Sequence, residues 1–250
     1  MNDRVTGLIL REQDYKENSV IVRVLTKEYG KISFVGQGVR KMTSKNRGSL
    51  MPYTKAEILF DYKDRKTMFR LKSAHTLDMY RVIHEDLNAG LACSVLAEII
   101  DESLIEGEDP DLSAACYDLF EKACCLLQEG HRADVVVAAG LSELLSLEGI
   151  EPDVDECVLC GKTSVTSISV KDGGFLCEEC AMKHGVRPRD PADLKAFRLI
   201  NKATLDHVGV LEDHMESAVT EASLLVEFIR MHLGLPVRSY ALFQRMYSEN

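Results

Sequence analysis

Four cysteines, Cys157, Cys160, Cys177 and Cys180, stand in two Cys-x-x-Cys pairs separated by sixteen residues. Such spacing folds two knuckles around one tetrahedral ion, and residues 166–170 and 173–175 between them read as a short hairpin, so the segment is expected to be a zinc ribbon. Four thiolates would fill the coordination sphere of Zn²⁺ and leave no position for a catalytic water, which makes the ion structural. His184 could in principle replace one ligand, but with the cysteine set complete it is expected on the surface. Two paired motifs fit a metal better than thiol exchange. Cys93, Cys116, Cys124 and Cys125 fall inside apolar helical patterns and are expected to be buried thiols.

A second chemical signal lies in residues 36–48, Gly36-Gln37-Gly38-Val39-Arg40-Lys41-Met42-Thr43-Ser44-Lys45-Asn46-Arg47-Gly48, with four positive charges and no negative one. Lys and Arg neutralise phosphates without reading sequence, and the glycines are expected to let the backbone approach a ligand closely. Arg40, Lys41, Lys45 and Arg47 are therefore the expected phosphate contacts. Arg11, Lys27, Lys31, Lys55, Arg70 and Lys72 extend the track, while Phe34 and Tyr53, though able to stack on a base, read better as core aromatics. The Gly36-x-Gly38 pair lacks a third glycine and a following apolar helix, so no dinucleotide or Walker loop is expected. Seven histidines are scattered singly, and no triad, H-E-x-x-H or paired-carboxylate signature is present. An enzyme is not expected.

These groups need elements to position them. Residues 5–10, 20–25, 31–35, 56–60 and 67–71 are short and rich in β-branched or aromatic side chains, and five such strands in about eighty residues fit a small closed barrel of the OB type. Beyond residue 80, apolar residues recur at three- and four-residue spacing over 84–105, 111–128, 133–147, 191–205 and 212–233, which predicts five helices. The expected fold is α+β and multidomain: an N-terminal five-stranded OB-fold β-barrel over 1–80, and a C-terminal α-helical domain in two parts, 81–152 and 187–250, with the four-cysteine insert at 153–186.

The chain has 250 residues, 46% of them hydrophobic, and a formal net charge of −10. That apolar share excludes a disordered chain. The first 80 residues hold 16 Lys+Arg against 9 Asp+Glu, a net of +7, which leaves −17 for the rest. A basic module on an acidic body suits a protein that touches a polyanion with one face and other proteins elsewhere. With neither a membrane-length apolar run nor a secretory signal in view, a soluble cytoplasmic protein is expected.

The order of basic barrel, helical body, four-cysteine insert and returning helices resembles the bacterial RecO family of DNA repair and recombination mediators. The resemblance runs through Gly7-Leu8-Ile9-Leu10-Arg11 with Asp14-Tyr15-Lys16-Glu17, then Leu25-Thr26-Lys27-Glu28-Tyr29-Gly30-Lys31-Ile32. It continues in Gly38-Val39-Arg40-Lys41, Ser44-Lys45, Arg47-Gly48, Leu50-Met51-Pro52-Tyr53 and His232-Leu233-Gly234 with Arg238-Ser239. It implies binding of single- and double-stranded DNA, annealing without ATP, contacts with RecR and with the C-terminal tail of single-stranded-DNA-binding protein, and indirect help in loading RecA. A pocket for that acidic, apolar tail would be expected to use a cation such as Arg132, Arg198 or Lys202. Gly36-Gln37 departs from the family by standing where members often carry a small residue and a basic one. A different zinc-ribbon OB-fold protein, binding RNA or serving transcription or translation, is the alternative reading, and a metal-dependent hydrolase ranks third.

Overall fold

The computed structural model describes residues 2–41, 44–63, 66 and 68–248. Met42 and Thr43 of the basic segment, Asp64 and Arg65 of the turn before the fifth strand, and Thr67 at that strand's expected start lie outside the described residues. The chain divides into two compact units, Met1–Gln128 and Glu129–Asn250.

In the first unit, β1 (Asn2–Tyr15), β2 (Ser19–Thr26), β3 (Gly30–Gly36), β4 (Lys55–Asp61) and β5 (Met68–Asp78) close into a barrel in the order β1-β2-β3-β5-β4. The first strand is long because it serves two neighbours: residues 2–8 pair with β4 and residues 7–15 with β2. A bulge at Leu10, between the Ile9↔Val24 and Arg11↔Arg23 pairs, bends it from one partner to the other. Gly7 sits at the handover, and a Cβ there would lie 2.3 Å from Val24 Cγ1. Alternation sends Val20, Val22 and Val24 inward, where they meet Phe34, Phe60 and Phe69. The three phenylalanine rings pack edge to face or tilted, with Phe60 5.2 Å from Phe34 and 5.0 Å from Phe69.

Three helices complete this unit: α1 (Arg81–Glu85), α2 (Leu87–Ser103) and α3 (Pro110–Gln128). Asp86 caps α2 by accepting the Ala89 amide at 2.8 Å, and Asp109 does the same for Leu112 before α3, at 2.9 Å. The helices are tied to β2 and β3 through Asp101, a buried carboxylate near the end of α2. Arg23 Nη1 reaches its Oδ2 at 2.7 Å, while Lys31 Nζ donates to its backbone carbonyl and lies 3.5 Å from its Oδ1. Ser33 donates to Glu106, just beyond the helix. Lys31 is only 6% exposed, so burial pulls its ammonium pKa down, against the pull of Asp101.

The second unit is built on α4 (Ala133–Leu147), most of which is buried. After the ribbon strands β6 (Ser167–Ser169) and β7 (Gly174–Leu176) come α5 (Glu178–His184), α6 (Pro191–Lys202), α7 (Val208–His214), α8 (Val219–His232) and α9 (Tyr240–Ser248). The single helix expected over 212–233 is two helices with a break at 215–218. Arg132 occupies the break: its guanidinium pairs with buried Asp134 at 2.8 Å and donates to the Met215 and Glu216 carbonyls at 2.6 and 2.8 Å. Asp134 in turn accepts the Ala218 amide at 2.9 Å. Backbone groups that a continuous helix would pair internally are thus satisfied by one side-chain pair.

Asp101→Ala is expected to destabilise the first unit by about 3–5 kcal/mol, because it leaves the Lys31 ammonium buried without its carboxylate. Urea unfolding followed by circular dichroism checks this, and the double variant Asp101→Leu/Lys31→Met is expected to recover most of the loss.

Candidate functional site

The basic segment leaves β3 at Gly36, where that strand ends. Two apolar side chains pin it: Val39 and Leu50 belong to the barrel core. A Cβ on Gly36 would meet Val39 Cγ2 at 2.7 Å. This glycine therefore makes room for a plug within the protein, where the sequence suggests close approach to a ligand. Further along, Asn46 Oδ1 accepts the Ala74 amide at 3.1 Å and the Ser49 and Thr76 hydroxyls are 2.9 Å apart, which ties the segment to β5. With Val39 turned in, Arg40, Lys41, Lys45 and Arg47 stand exposed.

Acids temper this basic loop. Arg40 pairs with Asp14 at 3.0 Å. Half-buried Glu12 has its pKa raised by loss of solvent and by Asp14, with Arg40 and Arg47 pulling the other way. A phosphate arriving at Arg40 would compete with an exposed ion pair of small net strength.

The other basic residues divide sharply. Arg11 is exposed on β1 just after the bulge. Arg70 and Lys72 are on β5, the first donating to Gln37 Oε1 at 3.1 Å and the second pairing with Asp61 at 2.6 Å. Lys31 does not join the phosphate track, since it is buried against Asp101. Lys27 and Lys55 also turn away, toward α3, where they pair with Asp118 and Glu121. Part of the charge asymmetry along the sequence is consumed inside this unit, with barrel cations neutralised by helix carboxylates.

Phe34 and Tyr53 are core aromatics, as expected, and offer no stacking platform. Phe34 is fully buried in the barrel, and Tyr53 packs on Phe120 with its hydroxyl pKa pushed up to about 12 by burial. The sequence reading passes over a cleft of about 420 Å³ lined by Gln37, Lys63, Lys66, Met68 and Arg70, among others. Lys63 and Lys66, close together between the fourth and fifth strands, were the signal that could have found it.

In the second unit, the sulfurs of Cys157, Cys160, Cys177 and Cys180 all lie within 4.8 Å of one another, and Cys160 and Cys177 are 3.6 Å apart. Zn–S bonds of about 2.3 Å at tetrahedral angles put sulfurs about 3.8 Å apart, so the donor set and its spacing fit that ion. The spacing is far too long for a disulfide. Each knuckle is built by the backbone: Cys160 and Gly161 amides donate to the Cys157 carbonyl at 3.2 and 2.8 Å, and Cys177 caps α5, its carbonyl accepting the Ala181 amide at 2.9 Å. Burial raises the Cys157 pKa, but amides of Cys177, Leu159 and Cys160 outweigh it and hold that thiol at about 6, whereas burial and the neighbouring thiols push Cys180 up to about 12. Lys162 and Glu179, 2.9 Å apart, bridge the two knuckles. His184 faces Asp172 at 3.1 Å and stands outside the sulfur cluster.

The ribbon is fastened to the helices of its own unit. Phe175 of β7, Phe197 of α6, Phe228 of α8 and His232 form a column of rings with successive centroids 6.2, 6.1 and 5.6 Å apart. His232 Nε2 lies 2.7 Å from the Val170 carbonyl, and Arg198 and Lys202 both hold Asp155, at 2.6 and 2.7 Å. These two cations, and Arg132 at the helix break, are thus the ones expected for an acidic peptide, and each already has an acidic partner within the unit.

No helix among the described residues is long and apolar enough to cross a membrane. Residues 1–80 match the family profile described as Recombination protein O N terminal, and residues 84–241 match Recombination protein O C terminal. Among curated proteins, the chain is 26% identical over 244 residues to the DNA repair protein RecO of Bacillus pumilus, covering 97% of this chain and 93% of that one. It is 26% identical over 249 residues to its counterpart in Exiguobacterium sibiricum (98% of both chains), and 25% identical over 250 residues to that of Bacillus subtilis (99% and 96%). With both halves matched in order and relatives aligned nearly end to end, the chain belongs to the RecO family of DNA repair proteins.

Proposed function

We propose that this chain is a non-enzymatic recombination mediator whose N-terminal barrel, residues 1–80, binds single- and double-stranded DNA and anneals complementary strands without ATP. It acts in the cytoplasm with RecR and the C-terminal tail of single-stranded-DNA-binding protein to help load RecA. The observation that carries the DNA part is the loop pinned by Val39 and Leu50, which holds Arg40, Lys41, Lys45 and Arg47 outward. Arg11, Arg70 and Lys72 add to the same binding surface; Lys31 has no part in it. The partners rest on family membership and on the acidic remainder of the chain, which repels DNA and leaves its surface to proteins.

The mechanism needs no bond-making by the protein. Two single strands repel through their phosphates, and cations on the loop lower that repulsion while base pairing supplies the driving force. Because the contacts are to phosphates, binding releases counterions and weakens steeply with salt. Cys157, Cys160, Cys177 and Cys180 would hold one Zn²⁺ that shapes the ribbon, and with all four thiolates as ligands no coordination position would be open for chemistry on DNA.

Replacing Arg40, Lys41, Lys45 and Arg47 together by glutamine is expected to abolish annealing of complementary oligonucleotides and to flatten the log–log salt slope for single strands by about 3. Affinity and slope unchanged in a folded variant would show that the loop is not the phosphate contact. For the metal, one zinc per chain is expected by elemental analysis, lost in Cys157→Ser and in Cys180→Ser. The lost ribbon is also expected to lower the thermal midpoint of the second unit, because Phe175 leaves the ring column when its knuckles open; differential scanning calorimetry checks this.

A further inference from the structure

The four cysteines of the ribbon are unequally exposed. Cys157 and Cys177 are buried, Cys180 is half-buried, and Cys160 alone of the four is exposed. Cys160 ends a turn whose amide donates back to the Cys157 carbonyl, and residues 161–164 after it are exposed as well. Its sulfur lies 3.6 Å from that of Cys177 on the other knuckle. An accessible sulfur beside a buried one is the arrangement in which an oxidant meets the first and the second resolves the product. The cysteines of α2 and α3 do not share it. Cys93 and Cys124 have sulfurs 3.9 Å apart, but both are fully buried, and burial raises the Cys124 pKa and keeps it a thiol.

We propose that Cys160 is an oxidation site, and that a peroxide converts Cys160 and Cys177 into a disulfide that joins the two knuckles and opens the metal site. One peroxide balances the reaction. The Cys160 thiolate attacks a peroxide oxygen, breaking the O–O bond, and becomes a sulfenic acid with release of hydroxide. The Cys177 thiolate then attacks the Cys160 sulfur, forming the S–S bond and expelling a second hydroxide. The two thiolates lose two electrons, the peroxide gains them, and two protons from solvent turn both hydroxides into water. The sulfurs must close from 3.6 Å to about 2.05 Å, a movement within reach of a knuckle that ends in an exposed turn. Only Cys157 and Cys180 then remain as ligands, too few for a structural zinc site.

The effect reaches past the knuckles. Cys157 and Cys177 are part of the ribbon's small core with Leu176 and Ala181, and Phe175, two residues before Cys177, begins the ring column to Phe197 and Phe228. Oxidation therefore loosens the second unit, while the loop that carries Arg40, Lys41, Lys45 and Arg47 belongs to the first. The inference rests on the four-cysteine metal reading above, and the test keeps the two apart.

The zinc-loaded full chain is treated with hydrogen peroxide, released zinc is followed with a chromogenic chelator, and disulfides are mapped by mass spectrometry without reduction. Release is expected in step with a linked Cys160–Cys177 peptide, with Cys93, Cys116 and Cys124 unmodified. Cys160→His keeps a four-ligand site of three cysteines and one histidine, and is expected to release zinc about tenfold or more slowly. Cys180→His, which alters the half-buried ligand, is expected to release it about as fast as the unaltered chain. A Cys157–Cys160 link in place of the cross-knuckle one overturns the pairing. Release from Cys160→His as fast as from the unaltered chain, or equal protection by Cys180→His, overturns Cys160 as the entry point. Zinc absent from the untreated chain overturns the metal reading alone, since the peptide map still decides whether Cys160 and Cys177 pair.

Discussion

Asp101, a buried carboxylate on α2, holds two cations from adjacent strands of the barrel. A buried carboxylate is stable only if paired, and here its partners are Arg23 on β2 and Lys31 on β3. The attachment fixes α2 against those strands and puts Glu106 over Ser33. Lys27 and Lys55 extend the same pattern toward α3 through Asp118 and Glu121. One side of the barrel becomes an internal seam, and what is left for a polyanion is the part where Val39 and Leu50 anchor the loop. The proposed DNA surface is thus the part of the barrel whose cations the helix carboxylates do not neutralise.

The second unit depends on a different constraint. Its ribbon is too small to bury a core of its own, with Cys157, Leu176, Cys177 and Ala181 as the buried set. Two devices compensate: four sulfurs gathered within bonding reach of one ion, and a column of rings that passes from Phe175 through Phe197 and Phe228 to His232. The column makes the ribbon part of the helical core of its unit, so an ion held by the four cysteines would bear on the stability of that core as well as on the knuckles.

Much of this was legible in the residues. The strands announced themselves through β-branched alternation, and the barrel follows because five short strands can satisfy their edges by closing. The cysteine spacing was the plainest signal, since two knuckles and a hairpin admit few other arrangements. What the sequence hid were long-range pairings of charge. Nothing local distinguishes Lys31, buried on Asp101, from Lys41, exposed on the loop; only the strand register and the helix seventy residues away decide it. The break at 215–218 was hidden for the same reason, because the apolar period continues through it while Arg132, far back in the chain, takes its carbonyls. Gly36 misled in a third way: a glycine signals close approach, but the sequence does not say that the approaching group is Val39. The cleft that Lys63 and Lys66 line was missed because its walls come from two separate segments.

The central claim is that the basic loop of the barrel, and not the seam facing α2 and α3, meets DNA. Acetylation footprinting of the lysines, read by mass spectrometry with and without oligothymidylate, addresses it directly, since cations lie on both sides. Bound DNA should slow modification of Lys41 and Lys45 by about threefold or more and leave Lys27 and Lys55 unchanged. Protection of Lys27 and Lys55 with Lys41 and Lys45 unaffected would place DNA on the seam and contradict the account.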